Sequence, residues 1–193
     1  MALKYGIKIF SYVMIDYLDY IEILMVILPV SVFFLSIYLL SNKSNLLFYY
    51  ILGNFLSILI NIVLKGIIQE PRPKEYIENY KAALAHGKKH LFKHGLLYDF
   101  FGMPSGHTQM MLFSTVFIYC ALNKEQYFYF YFLASFIIMV KLILLKDHTI
   151  IQVLVGAIIG SIFGYYMYYL ARDKITGTIT EKKDDHSEDN GFM

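Results

Sequence analysis

Apolar residues come in long blocks along this chain, separated by short polar strings. Ile23–Leu40 carries no charge and is long enough to cross a bilayer. Leu46–Leu64 is a second uncharged block, joined to the first by Ser41-Asn42-Lys43-Ser44-Asn45, so the two read as a helical hairpin. Thr108–Leu122 is a third. It is short for a span unless its helix starts at Pro104 or Ser105, where a proline and an adjacent hydroxyl are N-terminal signals. Tyr127–Leu145, interrupted only by Lys141, is a fourth block, and Thr149–Ala171 a fifth. In the fifth, Gly156, Gly160 and Gly164 recur every four residues, a stripe that admits close helix packing in lipid.

The pattern predicts an all-α integral membrane helical bundle of five transmembrane helices over residues 23–171. Residues 1–22 hold Lys4, Lys8, Asp16 and Asp19 and read as an interfacial N-terminal helix, with a sixth span as the alternative. No small-residue site follows them, which argues against a cleaved signal peptide. Residues 65–103 break the apolar pattern. Pro71 and Pro73 forbid a continuous helix there, and residues 75–97 mix charged and apolar positions as surface-lying amphipathic turns do. Residues 172–193 are dense in charge without apolar periodicity, the signature of a disordered polar tail.

Five spans put residues 65–103 and 146–148 on one membrane face, and the turns at Asn42 and Asn123 with the tail on the other. The second face carries Lys43, Lys124, Arg172, Lys174, Lys182 and Lys183, which makes it cytosolic by the positive-inside tendency and places the first face in a lumen or outside the cell. Composition changes this picture little. The 193 residues are 58% hydrophobic, more than a soluble domain of this length carries. A net charge of +2 gives no reason to expect nucleic acid, and the lone Cys120 excludes an intrachain disulfide. The 18 tyrosines and 16 phenylalanines, without tryptophan, suit headgroup-level rings.

Candidate chemistry gathers on the first face. Lys65 ends the second block, and Arg72 follows seven residues later between two prolines, so an ammonium and a guanidinium can reach one phosphoryl group. Taken singly, Lys65 reads equally as a lysine snorkelling to the interface. Pro104-Ser105-Gly106-His107 opens the third helix. A helix N-terminus aims free N–H groups at an anion, Gly106 lets the backbone approach closely, and Ser105 adds a hydroxyl. His148 opens the fifth helix with Gln152 on the same face four residues on, so the Gln152 carbonyl can orient one ring nitrogen while the other attacks. These residue types do not say which histidine attacks. His86, His90 and His94 also recur every four residues. No Cys, Asp or Glu completes that stripe and Lys88, Lys89 and Lys93 interrupt it, so it reads as a basic surface and no metal is expected.

In order, spacing and placement these strings resemble the type 2 phosphatidic acid phosphatase superfamily, over roughly residues 45 to 165. Lys65, Arg72 and Pro73 match its first motif and Pro104–His107 its second in full. The third keeps His148, with Lys141, Leu142 and Gln152 where serine, arginine and aspartate stand in the family. Ile68-Gln69-Glu70-Pro71-Arg72-Pro73, Gly102-Met103-Pro104 and His148-Thr149 with Gln152-Val153 are similar to the dolichyl-diphosphatase branch, in which glutamine also replaces the aspartate.

The resemblance implies a lipid phosphatase acting on a lipid phosphate or polyprenyl diphosphate. His148 is then the nucleophile, with Gln152 beside it, and His107 the general acid. Lys65, Arg72, Ser105 and Gly106 hold phosphate, and no cofactor is required. The expected location is that of a multi-pass membrane protein, with the endoplasmic reticulum as a candidate organelle. Leu142 removes a cation, for which Lys141 or Lys146 is the candidate substitute, and it carries the alternative of a catalytically impaired relative that binds lipid phosphates or scaffolds partners.

Overall fold

Among residues 27–73 and 101–177, which the computed structural model describes, five helices follow one another: α1 (Ile27–Leu40), α2 (Ser44–Ile68), α3 (Gly106–Leu122), α4 (Glu125–Leu144) and α5 (Ile150–Gly177). These residues form no strand; the one β-type contact is an isolated antiparallel bridge between Pro71 and Phe101. The expected N-terminal helix, the amphipathic turns and the His86/His90/His94 stripe lie outside the described residues, as does the tail beyond Gly177.

α2, α4 and residues Ile150–Asp173 of α5 are long and apolar enough to cross a membrane. α3 has 17 residues, about 25 Å of helix, and α1 is a shorter apolar helix. α3 begins at Gly106, not at Pro104 or Ser105. Ser105 is its N-cap in an extended conformation (φ −67°, ψ 114°), because its N–H donates to the Gln152 carbonyl (3.1 Å) while the Pro104 carbonyl accepts from Asn61 Nδ2 (3.2 Å). α2 runs on past Leu64 to Ile68, and α5 past Ala171 to Gly177.

The helices are apolar outside, and their buried polar groups stand among apolar core residues inside. On α2, Ile51, Phe55, Leu59, Val63 and Ile67 face outward, while Tyr50, Asn54, Ser57, Asn61 and Lys65 are buried. A water-soluble helix has the opposite arrangement, and this one fits lipid around a protein interior that supplies hydrogen bonds. α3 is central, packing against α2, α4 and α5. Its union with α5 is the closest: a Cβ on Gly156 or Gly164 would lie 2.5 and 2.6 Å from the carbonyl oxygens of Ser105 and Phe113, and one on Gly160 would overlap that of Gln109. The glycine stripe thus lies directly on the α3 backbone. Paired hydroxyls close the other contacts, Tyr50 with Ser114 and Ser36 with Tyr131 (2.8 Å each), Thr115 with Ser135 (2.9 Å).

Candidate active site

The end of α2 supplies the first cation. Lys65 stands in the last helical turn and is 2% exposed, so it is enclosed by protein rather than snorkelling to the interface. The helix stops at Gln69, whose left-handed φ of 54° and N–H bond to the Lys65 carbonyl (3.0 Å) close the C-terminus before Pro71. Glu70 and Pro71 then run beside Phe101 and Gly102, joined by the Gly102 N–H to the Glu70 carbonyl (2.7 Å). Arg72 and Pro104-Ser105-Gly106-His107 are thereby brought together.

A polar ladder fixes α3 against α2. Gln109 Nε2 donates to the Ser57 carbonyl (2.8 Å) and Oγ (2.9 Å), and Asn61 Nδ2 donates to Gln109 Oε1 (2.9 Å) and to the Pro104 carbonyl. Every one of these groups is buried, so each bond prevents an unsatisfied group in a low-dielectric interior. Beside the ladder is a cavity of about 280 Å³ lined by Ser57, Ile58, Asn61, Lys65, Arg72, Gly106, His107, Gln109 and Met110. It is lined by two cations and an imidazole, with Ile58 two helical turns from Lys65 along α2 and Met110 one turn from His107 along α3.

The α4–α5 turn brings the second histidine. Asp147 and His148 both donate their N–H to the Leu142 carbonyl (3.0 and 3.2 Å), and Lys146 takes a left-handed φ of 56°. α5 starts at Ile150, two residues after His148, through a capping box: Gln152 N–H donates to Thr149 Oγ1 (3.2 Å) and Thr149 N–H to Gln152 Oε1 (3.1 Å). The same Oε1 lies 3.3 Å from His148 Nδ1. Gln152 Nε2 donates to Glu70 Oε1 (2.7 Å) and to the Pro71 carbonyl (3.1 Å). With the amide so oriented, Nδ1 carries the proton and Nε2 carries the lone pair. His148 Nε2 is buried and has no hydrogen-bond partner among the described residues.

Burial pushes His148 down to a pKa of about 3, aided by the charges of Arg72, Lys65 and His107 and opposed by its bond to Gln152. It is a neutral imidazole at physiological pH. His107 feels Arg72 and Lys65 as well. All three sequence strings thus meet at one end of the bundle, tied by the Ser105–Gln152 and Gln152–Glu70 bonds.

The family model of the PAP2 superfamily matches residues 46–176. The chain belongs to the PAP2 superfamily. Membership suggests a lipid phosphatase, and the apolar helices fit a membrane protein. No curated protein and no solved structure matches the chain.

Within this PAP2 bundle, Leu142 is 1% exposed and belongs to the apolar core, while its carbonyl anchors the turn before His148. Lys65 and Arg72 are the cations among the described residues lining the cavity; Lys141 is half-buried and Lys146 exposed. Sequence reasoning missed Glu70, Asn61 and Gln109 as site-building residues. Asn54, Ser57, Asn61 and Lys65, at helical spacing within an apolar block, were a signal for the α2 ladder. Glu70 had none, since its partner lies 82 residues away.

Proposed function

We propose that this PAP2 protein is an integral-membrane phosphatase of lipid phosphates, with a polyprenyl diphosphate of the dolichyl type as its substrate. The observation that carries the reading is the meeting of Lys65, Arg72 and His107 in a cavity that also has the apolar Ile58 and Met110 in its lining, with a neutral, buried His148 close to the same cations. Lys65, Arg72, Ser105 and the Gly106 backbone hold the phosphoryl oxygens, where fixed positive groups are worth most as charge spreads in the transition state. His148 Nε2 attacks the terminal phosphorus. As the N–P bond forms, the P–O bond to the polyprenyl phosphate breaks and His107 protonates the departing oxygen. Water then attacks the phosphohistidine, His107 takes its proton, and inorganic phosphate leaves with His148 restored.

α1 and α3 complete a five-span bundle with α2, α4 and α5, and the site faces a lumen or the cell exterior. Purified protein in detergent, given a polyprenyl diphosphate, should release inorganic phosphate, and His148→Ala should lower the rate by about a thousandfold or more. Release by that variant at the parent rate contradicts the assignment of the nucleophile.

The buried Leu142 favours a second reading. Loss of one transition-state donor costs roughly 3 kcal/mol, about two powers of ten in rate. A catalytically silent relative that binds lipid phosphates would show binding in this assay without release.

A further inference from the structure

We propose that Glu70 is a positioning residue for the reaction, acting on His148 through the Gln152 side chain and supplying the negative charge that Gln152 itself lacks. The inference rests on the phosphatase reading above and adds a residue to it.

A glutamine beside a histidine is ambiguous, because its carbonyl and amino groups are nearly the same size. Turned one way it accepts from an Nδ1–H and leaves Nε2 with its lone pair; turned the other it donates to Nδ1 and forces the proton onto Nε2, where it blocks attack. Here the choice is made from outside. Glu70 Oε1, 2.7 Å from Gln152 Nε2, can only accept as a carboxylate, and so can the Pro71 carbonyl. Thr149 N–H, on the other side, can only donate. All three demand the same orientation. The Glu70 bond is the shortest of them and the one that is charge-assisted.

The charge matters beyond orientation. A carboxylate on the amide N–H polarises the amide and enriches Oε1 in negative charge, which stabilises the cationic ring that forms when His148 takes the phosphoryl group. The route is carboxylate, amide, imidazole, in place of a carboxylate directly on the ring. Its parts are held close. Glu70 is fixed by its own carbonyl accepting from Gly102 N–H (2.7 Å), and a Cβ on Gly102 would overlap the Gln152 amide. Gly102 is therefore needed for Gln152 to approach Glu70.

Reversing the pair tests this. Glu70→Gln removes the charge and Gln152→Glu sets two carboxylates against each other; each should lower kcat at least tenfold, with KM for a polyprenyl diphosphate changed less than threefold. Glu70→Gln combined with Gln152→Glu restores one carboxylate and one amide in the opposite order and should recover kcat to within about tenfold of the parent. A second readout does not need turnover. In detergent at neutral pH, ¹⁵N imidazole shifts should show His148 as the Nδ1–H tautomer, and Glu70→Ala should move the Nδ1 shift, as the amide loses the carboxylate that polarises it, while Thr149 N–H and the Pro71 carbonyl hold the tautomer. Parent-like kcat in both single variants, a double variant no faster than the slower single one, or an unchanged Nδ1 shift in Glu70→Ala overturns the proposal. If those results come with full loss of activity in His148→Ala, the relay fails and the phosphatase reading stands. If the parent releases no phosphate, that reading fails and the Nδ1 shift decides the relay.

Discussion

His148 shows how one side chain is made ready by its surroundings. Its pKa of about 3 against an ordinary value near 6.5 comes first from burial and then from the cations beside it. Between pH 6.5 and pH 3 the unfolded chain binds a proton at this position that the folded protein does not. Stability therefore falls as pH drops through that window, with a slope from this one group of at most about 1.4 kcal/mol per pH unit. Thermal unfolding in detergent should show the parent losing stability below pH 6.5 more steeply than His148→Gln. Equal slopes contradict a neutral, buried His148. The motif residues themselves were legible, since Lys65, Arg72, Pro104–His107 and His148 carry unusual chemistry at the edges of apolar blocks. Gln152 was legible as a neighbour of His148 through its four-residue spacing. That it also closes a capping box and reaches Glu70 was not, because one oxygen and one nitrogen serve three partners that only the folded chain assembles.

At the scale of elements, the α3–α5 union sets the distance between the two histidines, and it depends on absent side chains. Gly160 meets the Gln109 carbonyl so closely that Gly160→Ala must push the helices apart or shift Gln109, which anchors Asn61 and through it Pro104. Overpacking of this kind costs about 1–3 kcal/mol. The variant should unfold at lower temperature and lose at least tenfold in phosphate release. Ile158→Ala and Ile162→Ala, on the exposed face of the same helix, should change neither by much. A parent-like Gly160→Ala contradicts the close packing. The stripe was readable as a packing face from its spacing alone; its partner was not. Helix ends were less legible than helices. Polarity at Lys65 and Arg172 suggested boundaries, yet α2 and α5 continue past them, since a charge at a helix end is accommodated when it faces protein or the headgroup layer. Pro104 and Ser105 read as helix starters, but their backbone groups are claimed by Asn61 and Gln152, and α3 waits until Gly106.

For the whole molecule, an apolar exterior surrounds a bundle whose proposed catalytic groups gather at one end. The ends of α2, α3 and α5 that carry them are linked by hydrogen bonds at one end of the bundle, and the cavity between α2 and α3 is lined by cations of that cluster and by apolar residues. A substrate with a charged head and an apolar chain fits both parts. The direct measurement is the site of covalent phosphate. Protein mixed with a polyprenyl diphosphate and quenched in base, which preserves phosphohistidine, should yield on peptide mass spectrometry a phosphoryl group on His148 and none on His107. A phosphoryl group on His107, or phosphate release with no phosphohistidine formed, contradicts the account.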